Sequence, residues 1–142
     1  KDALEYNLSL GINQQANVIY PAVWSASVQV GLDDPRLDTA AARAQTEREF
    51  WRLNVSQRVP LSDGLALTTS LSYFKNQYAA DDVIFQVTRE DTLVDANIRV
   101  DWRKDIHWRA TFEAGYKQQD SNIEIYDFDR TYGQLGVRYE FY

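Results

Sequence analysis

Apolar and polar residues alternate along this chain with a period of two, in segments of about ten residues, the length a tilted membrane strand requires. Val94, Ala96, Ile98, Val100 and Trp102 alternate with Asp95, Asn97, Arg99, Asp101 and Arg103. The following segment sets Trp108, Ala110, Phe112, Ala114 and Tyr116 against Arg109, Thr111, Glu113, Gly115 and Lys117, and the last sets Leu135, Val137, Tyr139 and Phe141 against Gln134, Gly136, Arg138 and Glu140. Successive side chains of a strand point to opposite faces, so each segment predicts a strand with one apolar and one polar face. Earlier segments obey the same rule: Tyr6, Leu8, Leu10, Ile12; Trp24, Ala26, Val28, Val30; Trp51, Leu53, Val55, Val59; and Leu65, Leu67, Leu71, Tyr73. The pattern predicts seven strands.

The stretches between them predict how the strands connect. Pro60-Leu61-Ser62-Asp63-Gly64 and Lys104-Asp105-Ile106 are short enough for hairpin turns. Residues 33–49, 75–91 and 118–130 are longer and rich in Asp, Asn, Gln and Arg, so short and long connections tend to alternate, as in outer-membrane barrels. Residues 13–23, too long for a tight turn, break that alternation. The run Thr39 to Glu49 is compatible with a short helix inside its loop.

Alternation does not say where the apolar face goes, because a soluble barrel or sandwich would bury it in a core. The aromatic residues favour lipid. All four Trp lie on the apolar face near strand ends, where a ring keeps its body in hydrocarbon and its polar edge among headgroups. With a periplasmic C-terminus, Trp24, Trp102, Trp108 and Tyr139 make one belt and Tyr6, Trp51, Tyr73 and Tyr116 the other. Mean hydropathy is negative and no run approaches the roughly 20 apolar residues of a spanning helix, so only strands could cross a bilayer. The expected fold is therefore an all-β, antiparallel, up-and-down transmembrane barrel in the outer membrane of a Gram-negative bacterium, with lipid and lipopolysaccharide around it. Residues 1–142 form one domain of it. The chain has no Cys, which rules out disulfides and thiolate metal sites, and its net charge of −6 argues against a nucleic-acid partner.

The ending Leu135, Val137, Tyr139, Phe141, followed by Tyr142, resembles the C-terminal signal read by the barrel assembly machinery. A broader likeness rests on Asn76-Gln77-Tyr78-Ala79-Ala80-Asp81-Asp82-Val83-Ile84-Phe85, on Arg89-Glu90-Asp91-Thr92, and on Asp120-Ser121-Asn122-Ile123-Glu124-Ile125-Tyr126-Asp127-Phe128-Asp129-Arg130. Together these resemble the last strands of the surface lipoprotein assembly modifier family and of related barrel porins of exopolysaccharide systems. The resemblance implies a barrel of about fourteen strands, a periplasmic repeat domain as a possible partner, and a secreted cargo. An odd strand count with a periplasmic C-terminus carries a further expectation. At least one more strand is needed for closure, so these residues are the C-terminal portion of a larger barrel.

On the polar face, placing Trp102 opposite Trp108 would set Asp101 against Arg109. Arg99 would then lie diagonal to Glu113, with Arg138 within reach of Glu113, an ionic ladder of alternating sign. Such a ladder either stiffens the wall or steers a solute along it. Catalysis has little to stand on: His107 is the only His, and Ser62 with Asp63 or Asp105 would have to converge on it. Asp81-Asp82 and Asp127 to Asp129 are oxygen-rich enough for Ca²⁺ but fit a solvated loop better, and no cofactor or resident metal is expected. The leading functional expectation is a conduit that is not an enzyme and that passes a surface lipoprotein or a polysaccharide. A closed anchor barrel for an envelope complex is the alternative, and an outer-membrane hydrolase a distant one.

Overall fold

The computed structural model describes residues 3–17, 21–35, 39 and 47–141. They form seven strands: β1 (Ala3–Asn17), β2 (Pro21–Pro35), β3 (Arg48–Ser62), β4 (Leu65–Asp81), β5 (Thr88–Arg103), β6 (Trp108–Ser121) and β7 (Phe128–Tyr139). One 3-10 turn, Glu124–Tyr126, precedes β7, and no α-helix occurs among the described residues. The strands make a single antiparallel sheet in the order β1-β2-β3-β4-β5-β6-β7. Each strand pairs with its chain neighbours, so the topology is up-and-down. The sheet is open, with β1 and β7 as its edges.

All seven predicted strands are present, and most are longer than their alternation. β1 reaches Asn17 and β2 begins at Pro21, so residues 13–23 are not a long connection. Likewise β4 runs on to Asp81, β5 starts at Thr88 and β6 ends at Ser121, which shortens two of the expected loops to residues 82–87 and 122–127. The reason is that backbone ladders need no apolar side chain: beyond the apolar band both faces of a strand are polar, while the hydrogen bonds continue. Gln77 donates to Glu90 at 3.3 Å across such a rung. Short and long connections then alternate without exception. Of the helix considered over Thr39 to Glu49, Arg48 and Glu49 are in β3, while residues 40–46 lie outside the described residues.

The β3–β4 hairpin closes over Asp63-Gly64, with a register shift between Pro60 and Ser62 that leaves Leu61 as the extra residue of a bulge. Gly64 has no positive φ; it is needed for space, since a Cβ there would lie 2.3 Å from the carbonyl oxygen of Arg103. A similar close approach occurs inside the sheet. Phe50 lies across Gly31 and Tyr132 across Gly115, each its direct cross-strand partner.

The register sorts side chains onto two faces. One carries Leu10, Ile12, Val28, Val30, Leu53, Leu71, Ile98, Phe112, Leu135 and Val137, all exposed. Among the described residues nothing packs over them, and Gln57 and Thr69, opposite one another, interrupt the middle of that face, with Gln14 on the same rung in β1 and Thr131 on the next rung in β7. The other face is polar and more enclosed. Its side chains reach over intervening strands, Arg58 to Asp101 across β4 at 2.8 Å and Tyr132 to Asp95 across β6 at 3.0 Å. The sheet therefore curls toward the polar face. Of the few buried residues, Phe50, Tyr78, Asn76 and Asp91 gather on that face near the long connections, whereas Ala22 and Ala66 lie beside short turns.

Candidate functional site

The polar face divides into three zones along the strands. At the long-connection end, Arg48 and Arg89 are held among aromatic rings and carboxylates, while Arg52 lies over a ring but stays exposed. Arg48 bonds Asp33, its cross-strand partner, at 2.6 Å and lies 5.8 Å from the centroids of both Phe50 and Phe74. Arg52 is 4.6 Å from Phe74. Arg89 sits between Tyr126 at 3.4 Å and Tyr78 at 4.9 Å and pairs with Asp91 at 2.6 Å, where Asp91 is only 2% exposed. Stacking of a guanidinium on a ring is worth about 0.5–2 kcal/mol, more when desolvated.

Two loops lock over this zone. Asp82 accepts from the amides of Ile84 and Phe85 and from the Tyr126 hydroxyl at 3.2 Å, and those two amides hold its carboxyl below its ordinary pKa. Asn122 donates to the Thr88 carbonyl and accepts from the Glu90 amide, tying the loop before β7 to the start of β5. Asp127 accepts from the Ser121 amide at 2.6 Å. The acidic pairs considered for Ca²⁺ thus include two carboxylates that serve their own loops.

The middle zone is lined by small polar residues, with Asn54 donating to Ser27 at 3.3 Å. Asp95 takes both the Tyr132 hydroxyl and Lys117, its cross-strand partner, at 2.9 Å.

At the short-turn end the expected ladder is rearranged. Arg99, Asp101, Arg109, Glu113 and Arg138 do share one face, as does Asn97, but the β5–β6 register differs from expectation by two residues. Trp102 faces Ala110 rather than Trp108, and Asp101 faces Thr111 rather than Arg109. The connection is longer than Lys104-Asp105-Ile106. Asp105 Oδ1 accepts from the amides of His107 and Trp108, at 2.8 and 2.9 Å, and so builds a wider turn; the same bonds hold its carboxyl below the ordinary value. Arg99 is consequently opposite Glu113, not diagonal to it, yet its Nε bonds Asp101 at 3.0 Å. Arg138 faces Arg109, and Glu113 faces Gln134 and enters no ion pair among the described residues.

Three participants went unrecognised in the sequence: Arg58, which bonds Asp101 at 2.8 Å; Arg103, which donates to the Asp63 carbonyl at 3.4 Å; and Glu140, which lies 3.7 Å from Arg109 and 3.2 Å from Arg138. The parity of Arg58 within β3, counted back from the Asp63-Gly64 turn, was the available signal. His107 Nδ1 lies 2.9 Å from the Glu140 carbonyl oxygen and its ring stacks on Tyr139, so this side chain braces β7.

On the apolar face, Trp24, Trp102, Trp108 and Tyr139 all lie toward the short turns, with Trp108 and Tyr139 in edge contact at 4.8 Å and Tyr139 against Phe141 at 4.6 Å. Trp51 and Tyr73 meet at 4.9 Å nearer the long connections, and Tyr6 and Tyr116 lie in the corresponding part of β1 and β6. Leu135 and Val137 of β7 and Phe141 just past its end are exposed beside Tyr139, and Tyr142 lies outside the described residues. Trp51 to Val59, Leu65 to Tyr73, Val94 to Trp102 and Trp108 to Tyr116 each span about nine residues, within reach of the 9–11 of a membrane strand.

Residues 44–140, from ahead of β3 to just past β7, match the model of a family described as protein of unknown function (DUF2860). No curated protein and no solved structure matches the chain.

Proposed function

The chain belongs to the DUF2860 family, and we propose that its sheet is part of the wall of an outer-membrane β-barrel that acts as a conduit, with the apolar face in lipid and the polar face toward the lumen. The observation that carries this reading is the two-sidedness of the sheet. An uncovered apolar band about nine residues long, edged by Trp and Tyr, backs onto a face of arginines, carboxylates and small polar residues. Exposed to water, an apolar surface of this extent would drive aggregation; in hydrocarbon it is satisfied.

The open edges follow the same logic. Unpaired N–H and C=O groups along β1 and β7 are costly in lipid, so the barrel closes with further strands, from the same polypeptide or another. Leu135, Val137 and Tyr139 then lie outward on β7, with Phe141 just beyond its end, as the segment the barrel assembly machinery reads. The sequence resemblance to the surface lipoprotein assembly modifier family supports a surface lipoprotein or a polysaccharide as the cargo of the conduit.

Fractionation and heat-dependent mobility in a gel test the barrel. The native protein is expected in the outer membrane, running as a compact species until boiled. Recovery from the soluble fraction with no such shift would overturn the reading. Planar-bilayer recording then separates the two barrel functions, since a conduit conducts and a closed anchor does not.

A further inference from the structure

We propose that the short-turn end of the polar face is an anion-recognition site for solutes bearing several phosphate or carboxylate groups, an inference that deepens the conduit reading and rests on its orientation of the sheet.

Arg58 of β3, Arg99 and Arg103 of β5, Arg109 of β6 and Arg138 of β7 line one concavity of about 730 Å³. Asp63 and Asp101 line it too, Glu140 adjoins it and Glu113 stands across from Arg99, so five guanidinium groups stand against four carboxylates in a chain whose net charge is −6. The local sign is the reverse of the global one.

The pairing there is not that of a structural ladder. Elsewhere on this face Asp33 sits directly across from Arg48 and Asp95 from Lys117, one acid to each base, although Lys117 also has Arg130 on its other side. At the short-turn end two acids are each shared between two bases. Asp101 serves Arg58 and Arg99 and also accepts from Thr111, while Glu140 serves Arg109 and Arg138. Arg109 and Arg138 are themselves cross-strand partners, a like-charge juxtaposition that costs stability. Such an arrangement is tolerable when a third, negative party completes it.

The side chains are also available to one. Arg58, Arg99, Arg109 and Arg138 are 47–74% exposed, in contrast to 17% for Arg89 at the other end. Half-exposed guanidinium groups hold a single monovalent anion weakly because water screens them. An oxyanion that engages two or three planar forks at once gains charge-assisted, bidentate bonds and is selected over chloride.

The test uses the detergent-solubilised native protein, titrated calorimetrically with inorganic pyrophosphate and, in a second arm, with citrate. We expect binding to at least one, and at least tenfold weaker binding by the R109Q/R138Q double variant. Arg130→Gln, which removes a charge from the long-connection end of the same face, is expected to leave binding unchanged. The arm that binds more tightly identifies phosphate or carboxylate as the recognised group. Retained heat-dependent mobility shows that each variant is folded, and Arg138→Lys keeps the charge should the Gln variants fail to fold. No binding in either arm, or equal binding by the double variant and the parent, would overturn the site. Bilayer recording keeps the two proposals apart. A conducting barrel without pyrophosphate or citrate binding leaves the conduit and removes the site, whereas binding without conductance does the reverse.

Discussion

The two ends of the polar face are built from the same residue types to opposite effect. At the long connections, Arg48, Arg52 and Arg89 are stacked on Phe50, Phe74, Tyr78 and Tyr126, and two of the three hold an acid at 2.6 Å. The packing is dense enough to bury Asn76 with its Oδ1 unbonded. At the short turns, Arg58, Arg99, Arg109 and Arg138 share two carboxylates and stay about half exposed or more. Desolvation explains the difference. An arginine removed from water must be matched by rings and an acid, whereas one left in water can be held in place without being neutralised. The first end is a structural clamp; the second keeps charge in reserve.

The comparison is sharpest where a clamp residue is removed. Asp91→Ala leaves Arg89 enclosed between two rings without its carboxylate, and the expected loss is about 3–5 kcal/mol. Chemical denaturation of the folded barrel measures it. A loss below about 1 kcal/mol would place Arg89 in water and erase the distinction between the ends.

Between the ends, the test is of faces. Ile98→Arg, on the apolar side of β5, is expected to cost about 2–4 kcal/mol in a bilayer if that rung is near the midplane, while Asn97→Arg on the polar side is tolerated. Equal effects of the two in refolding into vesicles would sink the assignment of faces.

At the reserve end, truncation is expected to do little harm. Arg138→Gln removes one member of a like-charge pair and shifts stability by no more than about 0.5 kcal/mol in either direction, read by the same denaturation. A loss comparable to that of Asp91→Ala would make Arg138 structural.

The smallest effect is one the two ends share. Asp105 at a short turn and Asp82 in a long loop each have a carboxyl pKa lowered from the ordinary 3.8, chiefly by the amide of Trp108 for the former and of Ile84 for the latter. A lowered folded pKa means these bonds contribute fully above the unfolded value and are lost as the pH falls through the folded one. Both turns should hold steady above about pH 5 and loosen below the ordinary carboxylate range. Amide exchange at Trp108 and Ile84, corrected for intrinsic rates, follows it; protection unchanged in acid would show that the turns do not depend on the carboxylates.

Much of this architecture could be read from the chain because strand parity is a local property. Alternation needs only neighbouring residues, so it placed all seven strands, sorted Arg99, Asp101, Arg109, Glu113 and Arg138 onto one face, and put the Trp residues on the other. Register is a different kind of quantity. It depends on how many residues a turn consumes, and Asp105, by capturing two amides, moved β6 by two positions without altering its parity. That shift took Asp101 from Arg109 to Thr111 and set Arg99 against Glu113, while the separate β6–β7 register set Arg109 against Arg138. Strand length was equally hidden, because hydrogen-bonded ladders run past the apolar band where the pattern falls silent, as at Gln77 and Glu90. The clamp of Arg89 between Tyr78 and Tyr126 joins residues from β4, β5 and the loop before β7, and the Arg58 to Asp101 pair spans an intervening strand. Both arise from the curl of the sheet, which brings side chains together over distances that no period along the sequence encodes.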